Sequence, residues 1–541
     1  MWQQIYTPIA GNTFLSAAVA AIPIFTLIYA LGIGRMPSWK ASLIGMVSAE
    51  LLAVVVYGMP IVQSLSSLAY GAAFGLFPIG WVVYWAIVLY RFTVDTGKFE
   101  IVKDSIGSVT TDSHVQALLI AFGFGAFIEG ASGFGTPVAV AGAMLAGLGF
   151  PPFYAAAICL LANTAPVAFG SIGIPIVTLS GVTGLPLQTL SSDVGRICAP
   201  VSLIIPSYLI MVMGGWRALK AVFPATFVCG FAFAGTQLLV SNTLGPALAA
   251  IMGSVASIIA LIILLRFWKP KEIIEAEVHR PNAAAIPRHP TGEVVTAWVP
   301  YSLLVAFVLL WGISPVKNRL NAFTIPIRWP GLHNQIMRMP PAVAEASPYA
   351  AVYTLNWLTA AGTACMFAAL LSTLFLRIPP RRALRLLVTT GKQLLLPLMT
   401  IASVLALAFL MNYCGATATL GLAFAATSVF FPFFSSLLGW LGVFLTGSDT
   451  SSNALFGNLQ GVTAIRLGLN PAVMAASNSS GGVMGKMISL QSIAVAAAAT
   501  EMKPADEGKL FRFTLGPSIL LASLIGLTTV IYAYVFPYLV K

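Results

Sequence analysis

The sequence predicts an all-α, multi-pass membrane protein made of two inverted-topology repeats with broken helices or re-entrant hairpins. Three observations carry that prediction: very low charge, recurring apolar segments long enough to span a bilayer, and motifs of the first half that return in the second. Only 8% of the 541 residues are charged, 58% are hydrophobic and the mean hydropathy is +0.91. A soluble domain carries about 25% charged residues. This chain cannot cover its surface with polar side chains, which excludes a soluble enzyme, a nucleic-acid-binding domain and a disordered scaffold. The formal net charge of +12 is explained by basic loops on the cytoplasmic side of a membrane, so no nucleic-acid partner is needed. Cys159, Cys198, Cys229, Cys365 and Cys414 lie in apolar runs without metal-site spacing. Neither a disulfide framework, a metal site nor a cofactor is expected from them.

A membrane helix needs about 20 apolar residues. Residues 13–33, 197–214, 221–240, 247–265, 297–314 and 514–538 satisfy this without any Asp, Glu, Lys or Arg. Segments 41–59, 64–90, 352–376 and 393–411 add further spans, with Glu50 their one charge. With the two regions described next, roughly 11 to 14 membrane segments are expected. No Lys or Arg precedes Arg35, so the basic start of a signal peptide is missing and 13–33 is expected to be a retained span. Polar stretches at 266–296 and 315–350 divide the chain. The expected organisation is a first repeat with flanking helices (1–265), a cytoplasmic loop (266–296), a linking helix with an outside loop (297–350) and a second repeat (351–541). Trp2, Tyr6, Trp268, Trp298, Tyr534 and Tyr538 stand near span ends as interface anchors.

The repeat is read from ordered matches. Gly125–Gly130 (GAFIEG) returns as Gly442–Gly447 (GVFLTG) at an offset of 317. Asn163-Thr164 with Gly170 returns as Asn478-Ser479 with Gly485 at an offset of 315. Pro78 and Gly97 pair with Pro397 and Gly415 at offsets of 319 and 318. Basic residues give the repeat its sense. Arg91, Lys98 and Lys103 follow the span 64–90, whereas Arg377, Arg381, Arg382, Arg385 and Lys392 precede the matching span 393–411. Cytoplasmic loops hold the Lys and Arg, so the halves enter the membrane in opposite senses. The loop 34–40 then falls inside, while the N-terminus and 315–350 fall outside. Inverted repeats characterise secondary transporters, whose sites lie near the midplane where the repeats meet.

Two regions carry the candidate chemistry. Between Ser113 and Ser192 the sole formal charge is Glu129, and between Gln393 and Thr500 there are three: Asp449, Arg466 and Lys486. The stretch Ala121–Pro137 has five glycines and a proline, a poor uninterrupted helix. Irregular backbone at membrane depth persists only inside protein or around a water-filled cavity, so a broken helix or hairpin tip is expected there. Neither a dinucleotide fingerprint nor a P-loop fits these glycines. Gly130-Ala131-Ser132-Gly133 resembles an intramembrane serine-protease motif, but all four histidines sit in or beside polar loops, so no general base is at hand. The counterpart stretch is Thr446–Asn453. A third, Asn478–Gly482, leads to Lys486, Ser489, Gln491 and Ser492, and its partner is Asn163-Thr164-Ala165-Pro166 with Ser171. Hydroxyls, amides and freed N–H groups at helix starts make an anion site, suited to a carboxylate more than to a sugar or a cation.

Each charge also has a plainer reading. Glu129 fits a structural carboxylate tied to a loop N–H, or a coupling and gating group. Asp449, among hydroxyls, fits proton coupling, since burial favours the neutral acid that a proton carrier needs. Lys486 fits snorkelling to an interface, or substrate attraction and an ion pair with Asp449. Ionisable groups at mid-membrane rarely persist without a partner or a task. Arg466 reads as an interfacial loop residue, and Glu50 and Glu345 stay unassigned.

At these stretches the sequence resembles the bacterial L-lactate permease family from Met1 to Lys541. The passages that carry the resemblance are Gly125–Gly135, Asn163–Gly170, Gly439–Phe456 and Gly481–Ser489, the third being eighteen residues of uncommon composition. The chain departs from the family at Leu490, where proline would be expected before Gln491. The resemblance implies a proton-coupled symporter of small 2-hydroxymonocarboxylates, L-lactate with D-lactate and glycolate in some members, in the bacterial inner membrane. It also implies kinship with ion-transporter folds that place hairpin tips at the site. Asn163, Thr164, Ser132, Ser451, Asn453, Asn478, Ser479, Ser480 and Gln491 are then expected to hold the carboxylate, Lys486 to add charge attraction, and Asp449 or Glu129 to carry the proton. Two other readings stay open: a sodium-coupled organic-anion transporter, and a proton-translocating subunit of a respiratory complex. Assembly into a homo-oligomer also stays open.

Overall fold

The computed structural model describes every residue except 33, 35, 111, 134, 271–288, 344, 504–505 and 538–541. Most of the expected cytoplasmic loop, with His279, therefore lies outside the described residues, as do Arg35, Phe134, Tyr538 and Lys541. Among the described residues, ten helices are long and apolar enough to cross a membrane, and up to twelve if each of two bent pairs is one crossing.

Thr13–Ala20 and Ile22–Gly32 follow one another with a single residue between them, and Ser38–Leu51 runs on into a π-helical turn, Leu52–Val56. The next long segment, Ile61–Asp95, breaks at Phe77 (φ −143°, ψ 126°) before Pro78, because proline pushes the residue before it out of the helical region. The matching Pro397 sits inside Pro380–Cys414, which has no such break. The expected spans 197–214 and 221–240 are arms of one run, Leu187–Thr243, broken at Gly214 and Gly215 (φ 67°) and again at Val222.

One expected span is shorter than foreseen. Of 352–376 only Ala361–Phe375 is helical, and Val352–Leu355 is a strand paired antiparallel with Ile325–Arg328. A second small sheet joins Trp2–Gln3 in parallel to Ile336–Arg338, which also pairs with Ser347–Pro348. The N-terminal segment and the 315–350 stretch thus lie side by side.

The centre is made of interrupted elements that occur in the same order in both halves. Gly125–Ala131 ends at Ser132, passes Gly133 (φ 62°) and Gly135 (φ 81°), and resumes as Thr136–Gly147. Phe431–Thr446 ends at Gly447 (φ 72°) and resumes as Asp449–Leu467. A bent pair follows each: Pro152–Ala162 with Val167–Thr183, turned by 65°, and Pro471–Ile488 with Leu490–Ala499, turned by 46°. The packing is reciprocal. Gly170–Thr183 lies on Asp449–Leu467, and Leu490–Ala499 lies on Thr136–Gly147. Ser113–Ala131 is 94% buried, against 28–50% for the other long apolar helices. It faces protein rather than lipid, which is the condition for irregular backbone at depth.

Candidate functional site

Three charged side chains from the interrupted elements meet at the centre. Glu129 ends the first of them, two residues before the helix closes at Ala131. Asp449 opens its helix directly after Ser448, whose hydroxyl caps the Ser451 N–H at 3.3 Å. Lys486 stands at the elbow of the second bent pair, where the helix tightens into a 3₁₀ turn before Ser489. All three are buried, the carboxylates at 3% exposure and the lysine at 9%.

The lysine joins the halves, its Nζ donating to Glu129 Oε1 at 3.3 Å. Asp449 Oδ2 accepts from Ser479 Oγ at 2.6 Å and from Asn453 Nδ2 at 3.4 Å. Behind it runs a chain of amides. Asn453 Nδ2 also donates to the Pro175 carbonyl and to Ser479 Oγ, each at 3.1 Å. Asn478 Nδ2 donates to Asn453 Oδ1 at 2.9 Å, and Gln460 Nε2 to Asn478 Oδ1 at 3.1 Å. Every donor in that chain orients the next, so Asp449 is held rigidly on one oxygen. Its other oxygen, Oδ1, and Glu129 Oε2 are buried without a hydrogen-bond partner.

Glu129, Asp449 and Lys486 line one cavity of about 350 Å³, together with Ser171, Thr446, Ser448, Thr450, Ser451, Gln491 and Ser492. Leu396, Pro397 and Ile401 form an apolar wall with Thr400 among them, and Ser38 and Trp39 also reach it. Three helices, beginning at Thr136, Asp449 and Leu490, present their first residues or the residue just before them to this space. Their positive dipole ends, and the first-turn N–H groups that the Ser448 and Ser489 caps leave free, favour an anion there. Ser38, Thr446, Gly447 and Gln491 also line an adjoining depression with Met36, Glu507 and Gly508, so the cavity continues towards the 34–40 segment. Among the described residues no group of three or more His, Cys, Asp or Glu side chains is placed to hold a metal ion.

The structure thus brings Glu129, Asp449, Lys486, Ser451 and Gln491 together at the cavity and leaves the other expected contacts behind its wall. Asn453, Asn478 and Ser479 serve Asp449 from the rear. Ser132 turns its hydroxyl back to the Ile128 carbonyl at 3.0 Å, and Thr164 does the same to Leu161 at 2.8 Å. The Asn163 amide and the Ser480 hydroxyl are buried without a partner and away from the cavity. The reason is helix phase: a polar cluster in sequence spreads over several faces, and only one faces the cavity. Ser171 and Ser492 also line the cavity; both belong to polar stretches visible in the sequence, and neither is among the expected contacts. Trp39 and Thr400 have no local signal at all. Arg466 lies in the last turn of Asp449–Leu467 rather than in a loop. His114 is buried at the start of Ser113–Ala117, directly after the polar 108–112 segment.

Similarity to known proteins agrees with this architecture. The profile of the L-lactate permease family matches residues 16–536. The chain is 45% identical to the L-lactate permease of Bacillus subtilis and 44% identical to that of Salmonella typhimurium, each over 100% of both chains. It is 42% identical to the glycolate permease GlcA of Escherichia coli, over 99% of this chain and 98% of that one. Among solved structures, the YdaH transporter of Alcanivorax borkumensis matches with a TM-score of 0.52 at 13% identity, over 92% of this chain and 99% of that one; this is a likeness of fold. Coverage over essentially the whole length leaves one conclusion: the chain belongs to the L-lactate permease family.

Proposed function

We propose that this permease takes up L-lactate together with a proton across the bacterial inner membrane, and that it accepts glycolate as well. The observation that carries the reading is the meeting of Glu129 and Asp449, one from each half, at a single cavity with Lys486 between them. With both carboxylates ionised, that trio carries one net negative charge and repels a monocarboxylate. One proton makes it neutral. Asp449 takes that proton, and the substrate carboxylate then competes with Glu129 for the Lys486 ammonium. The hydroxyls of Ser171, Ser451 and Ser492 and the three helix starts supply the remaining donors. Glycolate fits the same donors because it differs from lactate only in lacking the methyl group.

Co-transport of a monoanion with one proton moves no net charge. Uptake of radiolabelled lactate into proteoliposomes, under a pH gradient or a sodium gradient applied one at a time, tests this. The expected result is uptake that follows the pH gradient and hardly responds to membrane potential. Uptake that follows sodium instead would assign the same carboxylates and hydroxyls to a cation. Competition by unlabelled glycolate, pyruvate and succinate in the same assay reads the substrate class.

A further inference from the structure

Both site carboxylates lie on bare backbone. A Cβ built on Gly170 would stand 2.6 Å from Glu129 Oε1 and 3.3 Å from its Cδ. A Cβ built on Gly482 would collide with Asp449 Oδ1 and stand 2.8 Å from Val443 Cγ2. Both are closer than real Cβ atoms come to any neighbour. The arrangement occurs once in each half. In each, the acid on the interrupted helix rests on a glycine of the bent pair that follows it. At Asp449 the oxygen on the glycine is the one without a hydrogen bond, while the other is fixed by Ser479 and Asn453.

We infer that Gly170 and Gly482 are positioning residues that seat the two carboxylates at the cavity wall, Gly482 setting the acidity at which Asp449 loads the coupling proton and Gly170 keeping Glu129 on Lys486. A methyl group on Gly482 fills the seat of Asp449 Oδ1 and pushes that carboxylate towards the wet cavity, beside Lys486 and Glu129, where hydration favours its ionised form. One on Gly170 meets the Glu129 oxygen that Lys486 holds and loosens that ion pair. Transport by Gly482→Ala then needs a more acidic medium. The inference rests on the proton-coupled reading, and the test separates the two.

Lactate uptake is measured against pH in proteoliposomes holding wild type, Gly170→Ala, Gly482→Ala or Gly481→Ala. Gly481 is the control, because its Cβ would strike the Ser436 carbonyl rather than an acid. The expected result is a pH profile displaced towards acid by on the order of one unit in Gly482→Ala, and lowered but undisplaced in Gly170→Ala and Gly481→Ala. A folded Gly482→Ala protein with the wild-type profile, or a folded Gly170→Ala protein with wild-type uptake, would overturn the inference. If Gly170→Ala fails to fold, Glu129→Asp is added to it, since the shorter acid withdraws from the methyl group. Recovery of a monodisperse protein supports the seat, and no recovery counts against it. Wild-type uptake that ignores the pH gradient removes the proton reading alone; the glycine variants then report on whichever cation drives uptake.

Discussion

Lys486 and Glu129 form a buried ion pair between residues 357 positions apart, and such pairs behave asymmetrically under mutation. Removing one partner strands the other charge in a dry site, which costs about 3–5 kcal/mol, while replacing both by neutral groups is often harmless. Lys486→Met is therefore expected to lower the unfolding temperature of the purified permease clearly. Adding Glu129→Gln should recover most of the loss without restoring uptake. Thermal unfolding followed by tryptophan fluorescence reads both, and a double variant no more stable than Lys486→Met would mean that the pair is not what holds these residues. These charges were legible in the sequence because each stands almost alone in a long apolar run, where an ionisable group is expensive. Asn163, Ser132 and Ser480 were legible as polar, but not as turned away from the cavity. That depends on helix phase at a break, which local composition does not set.

The interrupted elements were the most readable part of the fold. Clustered glycines with Pro137, and the run of hydroxyls from Thr446 to Ser452, mark places where a helix is hard to continue. Both became breaks, at Gly133–Gly135 and at Gly447. The small sheets were not readable, because strands of two to four residues leave almost no periodic signal. The cavity wall from Leu396 to Ile401 and the contact from Trp39 were also hidden, since tertiary packing alone brings those segments to the tips. The cavity's continuity with the 34–40 segment, inside by the charge count, leads to a prediction for the second tip. Cysteine at Thr450 should react with a membrane-impermeant maleimide faster from the cytoplasmic face than from the outer face, and lactate should slow it. The five native cysteines are all buried and give a low background. Faster labelling from the outer face would reverse the assigned opening.

At the scale of the whole molecule, reciprocal packing of the two halves places one carboxylate from each beside a shared space, and the lysine of the second half binds the acid of the first. A centre assembled in this way can be exposed to either side by rocking one set of elements against the rest, with the site fixed near the midplane. The central claim is that lactate and a proton meet in that space, with Asp449 as carrier. It is tested most directly by following pH when lactate is added to proteoliposomes with no imposed ion gradient. Wild-type permease should make the medium outside alkaline in proportion to lactate entry. Asp449→Asn should exchange preloaded lactate without any pH change. Proton movement at the wild-type rate in the Asp449→Asn permease would contradict the account.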